Sequence, residues 1–129
     1  MKKLLLFSLL SFFFFGCSNT TTFTLDATTD HENDLKVFLI KIGDDNSPMA
    51  IDSTNVVEGK FSFSDSIAIP EMHYIVFDKQ RENLPIILEP GKITVKIHKD
   101  SVRTSKISGT KSNLDFAKYM NETTDLYTE

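Results

Sequence analysis

The chain has one cysteine, no tryptophan, four prolines and five glycines in 129 residues, and its 14 Lys and Arg are outnumbered by 18 Asp and Glu. Each shortage removes a class of function. One cysteine cannot form an internal disulfide or a Cys-x-x-Cys redox pair. A formal charge of −4 with no basic stripe excludes nucleic acid as a partner, because phosphates must be met by clustered cations. The glycines at 16, 43, 59, 91 and 109 stand apart, so no glycine-rich loop can cradle a phosphate. No G-x-S-x-G elbow accompanies the many serines. What remains is a chain that is 40% hydrophobic, too apolar for a disordered tail and long enough for one small domain.

Much of that apolar content lies at the start. Met1-Lys2-Lys3 is a cationic opening, and Leu4 to Phe15 is interrupted only by Ser8 and Ser11. As a helix these twelve residues would rise about 18 Å, short of the ~30 Å hydrocarbon core, so the segment reads as a secretory signal over residues 1–16 and not as a membrane span. It runs into Gly16-Cys17, which resembles the end of a bacterial lipobox, although Phe14 and Phe15 stand where Leu and a small residue are usual. A lone exported cysteine otherwise has no disulfide partner. Cys17 is therefore the expected lipidation site, with residues 17–22 as lipidated Cys and polar linker. Each buried acyl CH₂ contributes about 0.8 kcal/mol, and two or three chains anchor stably where one binds reversibly. By resemblance to known bacterial sorting patterns, Ser18 directly after the cysteine favours the outer membrane, with the domain facing the periplasm. Loss of Lys2 and Lys3 with the signal takes the formal charge from −4 to −6, so contact with lipid is expected through the anchor alone.

From Phe23 onward short Val, Ile, Phe and Thr runs alternate with Gly, Pro, Asn and Asp clusters, the punctuation of a β protein. Strands are expected at 22–28, 35–42, 49–57, 61–64, 73–78, 84–89, 93–98 and 102–107. Leu35 to Ile42 is nearly continuous, as in a central strand covered on both faces. The 49–57 and 61–64 runs, joined by Glu58-Gly59-Lys60, read as a hairpin, and Pro90-Gly91 suits a type II turn. After Gly109 the period changes. Ser112-x-x-Asp115 has the spacing of a capping box, and Phe116, Ala117, Met120 and Tyr127 form one helical stripe. The expected architecture is mainly β: an antiparallel sandwich or partly open barrel of seven or eight strands over residues 23–110, then a C-terminal helix over 111–129. Its core is expected to be Phe23, Leu39, Phe61, Phe63, Ile75, Phe77, Leu88, Val95 and Ile97.

Ile51-Asp52-Ser53-Thr54, Glu58 to Phe63, Ile87-Leu88-Glu89-Pro90-Gly91-Lys92-Ile93-Thr94-Val95 and Ile107-Ser108-Gly109-Thr110-Lys111-Ser112-Asn113 follow one another as in domain of unknown function family 4369, which residues 23–122 resemble. The resemblance implies an N-terminal β-domain of Bacteroidetes lipoproteins, which in longer relatives precedes a thioredoxin-like or peroxiredoxin-like domain. This sequence has no cysteine left for that redox chemistry once Cys17 is lipidated, so the activity does not carry over. The helix at 111–129 is also where such a domain would begin.

Other candidate chemistry is thin. His31, His73 and His98 have no second ligand at metal spacing and would need Asp30 or Asp100 brought to them. His98 reads as a solvent-facing strand residue and His73 as a strand start. Asp30 to Asp34 and Asp44-Asp45-Asn46 lack EF-hand spacing and read as solvated turns. Asp52-Ser53-Thr54, Asp65-Ser66-Ile67 and Asp100-Ser101-Val102 resemble an Asp-Ser/Thr-apolar O-glycosylation pattern, which makes Ser53, Ser66 and Ser101 candidate acceptors; Asp-Ser pairs also begin turns, and the sequence leaves both readings open. No cofactor, metal or catalytic residue is expected. The expected function is a non-catalytic, lipid-anchored spacer or interaction module of the cell envelope that meets an envelope protein or glycan. The alternatives are the N-terminal part of a thiol-disulfide oxidoreductase and a surface glycan- or protein-binding module.

Overall fold

The structure, a computed structural model, describes residues 21–126. The signal segment, Cys17 and Tyr127 lie outside the described residues. Eight strands form: β1 (Thr22–Thr29), β2 (Lys36–Ile42), β3 (Pro48–Asn55), β4 (Lys60–Ser66), β5 (Glu71–Phe77), β6 (Asn83–Leu88), β7 (Gly91–His98) and β8 (Ser101–Ser108). One helix, α1, spans Lys111–Leu126. The strands make two four-stranded sheets, ordered β4-β1-β7-β8 in sheet A and β3-β2-β5-β6 in sheet B. The sheets do not close into a barrel, and the mainly β sandwich with a C-terminal helix is the architecture the punctuation predicts. All strand pairs are antiparallel except β1 with β7, which is parallel. No helix among the described residues is long and apolar enough to cross a membrane.

Period-two alternation explains the core. Leu25 of β1 lies between Phe63 of β4 and Ile93 of β7, and Ala27 between Phe61 and Val95, so one row of sheet A side chains faces inward. From sheet B, Val37 and Leu39 meet Phe77 and Ile75 across the β2–β5 ladder. All nine expected core residues are buried. Phe61 stands at the junction, edge-on to Phe63 at 5.9 Å and to Phe77 at 5.8 Å, an arrangement aromatic quadrupoles favour. Edge strand β3 gives nothing to this core: Met49 and Ile51 are 52% and 46% exposed.

Three local expectations are corrected. First, β3 and β4 are not a hairpin. Glu58 (φ 51°) and Gly59 (φ 71°) do make the two-residue turn of a type I′ hairpin, but only the Val57–Lys60 bridge forms. Beyond it β3 joins β2 in sheet B and β4 joins β1 in sheet A. The turn is a crossover between sheets, because burying Phe61 and Phe63 beneath sheet A outweighs continuing a local ladder. Second, β2 is central in its sheet but covered on one face only: Val37 and Leu39 are buried, whereas Phe38 and Ile40 are half-exposed. Third, His73 does not start its strand, which begins at Glu71. It is the third residue of β5, on the inward face, 3% exposed.

The Pro90-Gly91 turn takes the chain from β6 in sheet B to β7 in sheet A, and Gly91 has the positive φ the turn needs, 126°. Inward and outward positions of sheet B should differ sharply in cost. Leu39→Ala is expected to lose about 2–5 kcal/mol on chemical denaturation, as cavity-forming core truncations do. Ile40→Ala, one residue on and facing outward, should lose about 1 kcal/mol or less. Equal losses would contradict the one-sided core.

Candidate functional site

The two longest family-like motifs, 87–95 and 107–113, meet at one corner of the sandwich, where β6, the β6–β7 turn and the start of α1 come together. Gly109 (φ 107°) admits the approach, since a Cβ there would stand 2.2 Å from the Lys92 carbonyl oxygen. The next four residues dock onto β6. The Asn113 side chain, 1% exposed, accepts from Ile87 N–H at 2.9 Å and donates to Ile87 C=O at 2.7 Å. Its amide thus acts as one more strand residue beside an edge that would otherwise hold unpaired polar groups. The second Nδ2 hydrogen goes to Thr110 Oγ1 at 2.8 Å.

Glu89 completes the corner. Its two carboxylate oxygens accept from Ser112 N–H at 2.9 Å and Ser112 Oγ at 2.7 Å. The expected capping box is therefore replaced. Asp115 pairs instead with Lys111, and an orphan amide of the first helical turn is met by a carboxylate 23 residues away. Burial at the corner works against the Glu89 charge, but the Ser112 side chain and backbone, the Thr110 hydroxyl and the nearby Lys111 outweigh it and hold the carboxyl below its ordinary range. The hydrogen bonds of the corner run between elements, from Ser112 to Glu89 and between Asn113 and Ile87, so the corner latches the helix to the sandwich.

The sequence-predicted sites are dispersed. Ser53 lies within β3 and Ser66 at the end of β4, both exposed, each with its N–H held by the preceding aspartate (Asp52 and Asp65) at 2.7 Å. Neither begins a turn between strands. Ser101, half-buried, opens β8 and accepts from Thr104 Oγ1 at 2.9 Å. Asp52, Asp65 and Ser66 share a 210 Å³ recess with Lys41, Glu71 and His73, where Lys41 and Glu71 pair at 3.0 Å. A wider groove of 590 Å³ runs past Asp26, Thr28, Thr54, Asn55 and Ser62.

The histidines do not converge. His31, 8% exposed, stacks on Phe77 at 4.1 Å between ring centroids, and its Nε2 is buried without a hydrogen-bond partner. Burial pushes its pKa down against the pull of Asp30. His98 lies 3.9 Å from Asp30, and Asp30 is held below its ordinary range first by the Lys99 amide, 2.6 Å away. Among the described residues no group of three or more His, Cys, Asp or Glu is placed to hold a metal. Asp34 and Asn46 take left-handed turn conformations (φ 66° and 65°), and Asp45 accepts from Ser47 twice, at 2.6 and 3.1 Å, so both acidic clusters are turns.

The feature that sequence reasoning passed over is a difference between the two outer sheet faces. Sheet A turns out Thr24, Asp26 and Thr28 from β1, Ser62 and Ser64 from β4, and Lys92, Thr94 and Lys96 from β7. Sheet B turns out Phe38 and Ile40 from β2, Met72, Tyr74 and Val76 from β5, and Pro85 and Ile87 from β6. Its pairs are contiguous: Phe38 opposite Val76, Ile40 opposite Tyr74, Tyr74 opposite Pro85 and Met72 opposite Ile87. Lys36 lies over Phe38 at 5.5 Å from the ring centroid and marks one end of the patch. The signal was present in the doubly apolar runs at 72–77 and 84–88.

The class of molecule defined here is a mainly β, two-sheet open sandwich with a C-terminal helix latched to its edge and one apolar outer face. The chain belongs to the family described as Domain of unknown function (DUF4369), whose model matches residues 22–116. The match ends at Phe116, where the helix leaves the sandwich. No curated protein and no solved structure matches the chain.

Two measurements test the corner and one the buried imidazole. Asn113→Ala leaves both Ile87 polar groups without their partner and should cost about 2–4 kcal/mol on denaturation. Because the Glu89 pKa is lowered in the folded state, its contribution is present above about pH 4.5 and is lost as pH falls through the folded value. The stability difference between wild type and Glu89→Gln should therefore shrink on acidification. The His31 pKa is also lowered, but for a base the consequence is opposite in kind. It costs nothing above about pH 6.5, and protonation destabilises progressively as pH falls from there towards the folded value. His31→Phe, which keeps a ring against Phe77, should flatten the melting temperature between pH 7 and 5; an unchanged slope would contradict the assignment.

Proposed function

We propose that the chain is a lipid-anchored, non-catalytic interaction module of the cell envelope. Cys17 carries the acyl chains, the polar segment after it is the tether, and the outer face of sheet B is the surface that meets a partner in the periplasm at the outer membrane. The observation that carries this reading is the contrast between the faces. Sheet A is dressed for water along β1, β4 and β7, whereas β2, β5 and β6 of sheet B present Phe38, Ile40, Tyr74, Val76 and Ile87 in one patch. A contiguous apolar face of this kind is unfavourable in water unless something covers it, and it is a feature of interaction surfaces.

The chemistry of the corner supports the same reading. Glu89, Thr110, Ser112 and Asn113 are the polar residues most closely grouped, and their hydrogen-bonding capacity is turned on one another and on Ile87.

Metabolic labelling with an alkyne fatty acid tests the anchor. Wild type should take up label and fractionate with membranes, and Cys17→Ala should do neither. Label retained in Cys17→Ala, or absent from wild type, would contradict the proposal.

A further inference from the structure

We propose that the recess between the two sheets, beside β3 and β4, binds an alkylguanidinium group, with the planar cation held by Asp52, Asp65 and His73 and its stem against the apolar core. The site lies on the inner faces of the sheets and does not depend on the outer face of sheet B.

At this end of the sandwich the core departs from the alternation that builds the rest of it. In β2 the inward row runs Val37, Leu39 and then Lys41, and in β5 it runs Phe77, Ile75, His73 and then Glu71. Asp52 of β3 stands opposite the inward Leu39, and Asp65 of β4 opposite the inward Phe23, so both aspartates occupy core-facing positions on edge strands. Five titratable side chains therefore stand where alternation calls for apolar ones. Placing them there costs stability, and departures of this kind from a consistent pattern are found where a function is served.

What these groups still offer is acceptors. Lys41 and Glu71 neutralise each other at 3.0 Å. Asp52 and Asp65 each use one oxygen on the following N–H, at 2.7 Å, and keep the second oxygen and the negative charge for a further partner. The His73 side chain, in a residue only 3% exposed, has Nδ1 3.2 Å from the Glu71 carbonyl oxygen. A carbonyl can only accept, so the proton is on Nδ1 and Nε2 holds its lone pair. Two carboxylate oxygens and an imidazole nitrogen thus border the recess, whose walls include Phe23, Leu39 and Leu88.

The occupant that matches brings positive charge, several N–H donors and an apolar stem. A metal ion does not match, because among the described residues no three such ligands are placed to share one ion. A guanidinium spreads five N–H donors over a planar fork and is more weakly hydrated than an ammonium, so it reaches separated acceptors and enters a partly apolar recess at lower cost. At 210 Å³ the recess is smaller than the roughly 300–1,000 Å³ of a drug-sized pocket, which suits one such group on a short stem. The group can belong to a free small cation or to an arginine side chain of another protein.

Titration calorimetry of the full chain in non-ionic detergent micelles at low ionic strength tests this, with butylguanidinium and a tripeptide amide carrying a central arginine as probes. Saturable one-to-one binding is expected, with a dissociation constant of about 1 mM or tighter. Asp52→Asn and Asp65→Asn should each weaken it about fivefold or more, as loss of a charge-assisted pair does. Asparagine keeps an oxygen for the next N–H, and circular dichroism melting checks that both variants fold. Asp26→Asn, on the outer face of sheet A, should leave binding unchanged. Butylammonium should bind more weakly than butylguanidinium, and the ¹⁵N resonance of His73 Nε2 should shift as its lone pair accepts. A peptide that binds more tightly than butylguanidinium assigns the cation to a protein partner, and the reverse order assigns it to a small molecule; either order supports the site. No saturable binding of either probe up to about 10 mM would overturn the proposal. So would binding indifferent to both asparagine variants, or equal affinity for butylammonium. The anchored-module reading fails separately, on the labelling of Cys17.

Discussion

The side chain of Asn113 uses its acceptor and both of its donors at a single place in the molecule. One amide oxygen and one amide nitrogen close the edge of β6 at Ile87, and the remaining hydrogen fastens Thr110. With both donors and the oxygen engaged at 1% exposure, the group is expensive to remove and has little freedom to move. It determines where β8 stops, where the helix starts and in which direction it leaves. Gly109 permits the approach to Lys92, and Glu89 holds the first helical turn from the other side. The most distinctive run of residues in the chain is thus used for architecture. Its positional exactness serves to pin a helix to the rim of a sandwich.

That pinning has a consequence for what the rest of the surface is free to do. The latched helix packs against β6 and β8, and Phe38, Tyr74 and Ile87 stay half-buried on the outer face of sheet B. Sheet A, by contrast, is finished: its outer rows are threonine, serine, aspartate and lysine, with Lys92 and Asp26 3.4 Å apart. Asymmetry of this sort leaves one outer face polar and the other apolar. In the recess lined by Asp52 and Asp65, the two aspartates are engaged by the next backbone N–H and Lys41 pairs with Glu71.

Local pattern made much of this legible. The alternation of Ile93, Val95 and Ile97 with Thr94, Lys96 and His98 fixes β7 and its facing, because period two leaves one arrangement that buries the apolar row. The same argument located all eight strands and the nine core residues. What local pattern could not supply was partnership between distant segments. Glu58-Gly59 has the chemistry of a hairpin turn and adopts its dihedral angles, yet the flanking strands go to different sheets, a choice made by Phe61 packing on Phe77 sixteen residues later. Ser112 and Asp115 have capping-box spacing, but Glu89 reaches Ser112 first. The parallel β1–β7 pair is likewise invisible without the fold. Of the site, the residues were legible and their setting was not: the nearly continuous run from Leu35 to Ile42 reads as a strand covered on both faces, whereas the structure leaves Phe38 and Ile40 half-exposed on the outer side.

The central claim is that this protein acts through the outer face of sheet B, and the face carries its own reporters. Methionine and tyrosine side chains are oxidised readily where they are open to solvent, so hydroxyl-radical footprinting can compare the protein in intact envelopes with the isolated domain. The account predicts that Met72 and Tyr74 become protected in the envelope while Met49, on edge strand β3, stays as reactive as before. Protection confined to Met49, or no difference at Met72 and Tyr74, would contradict it.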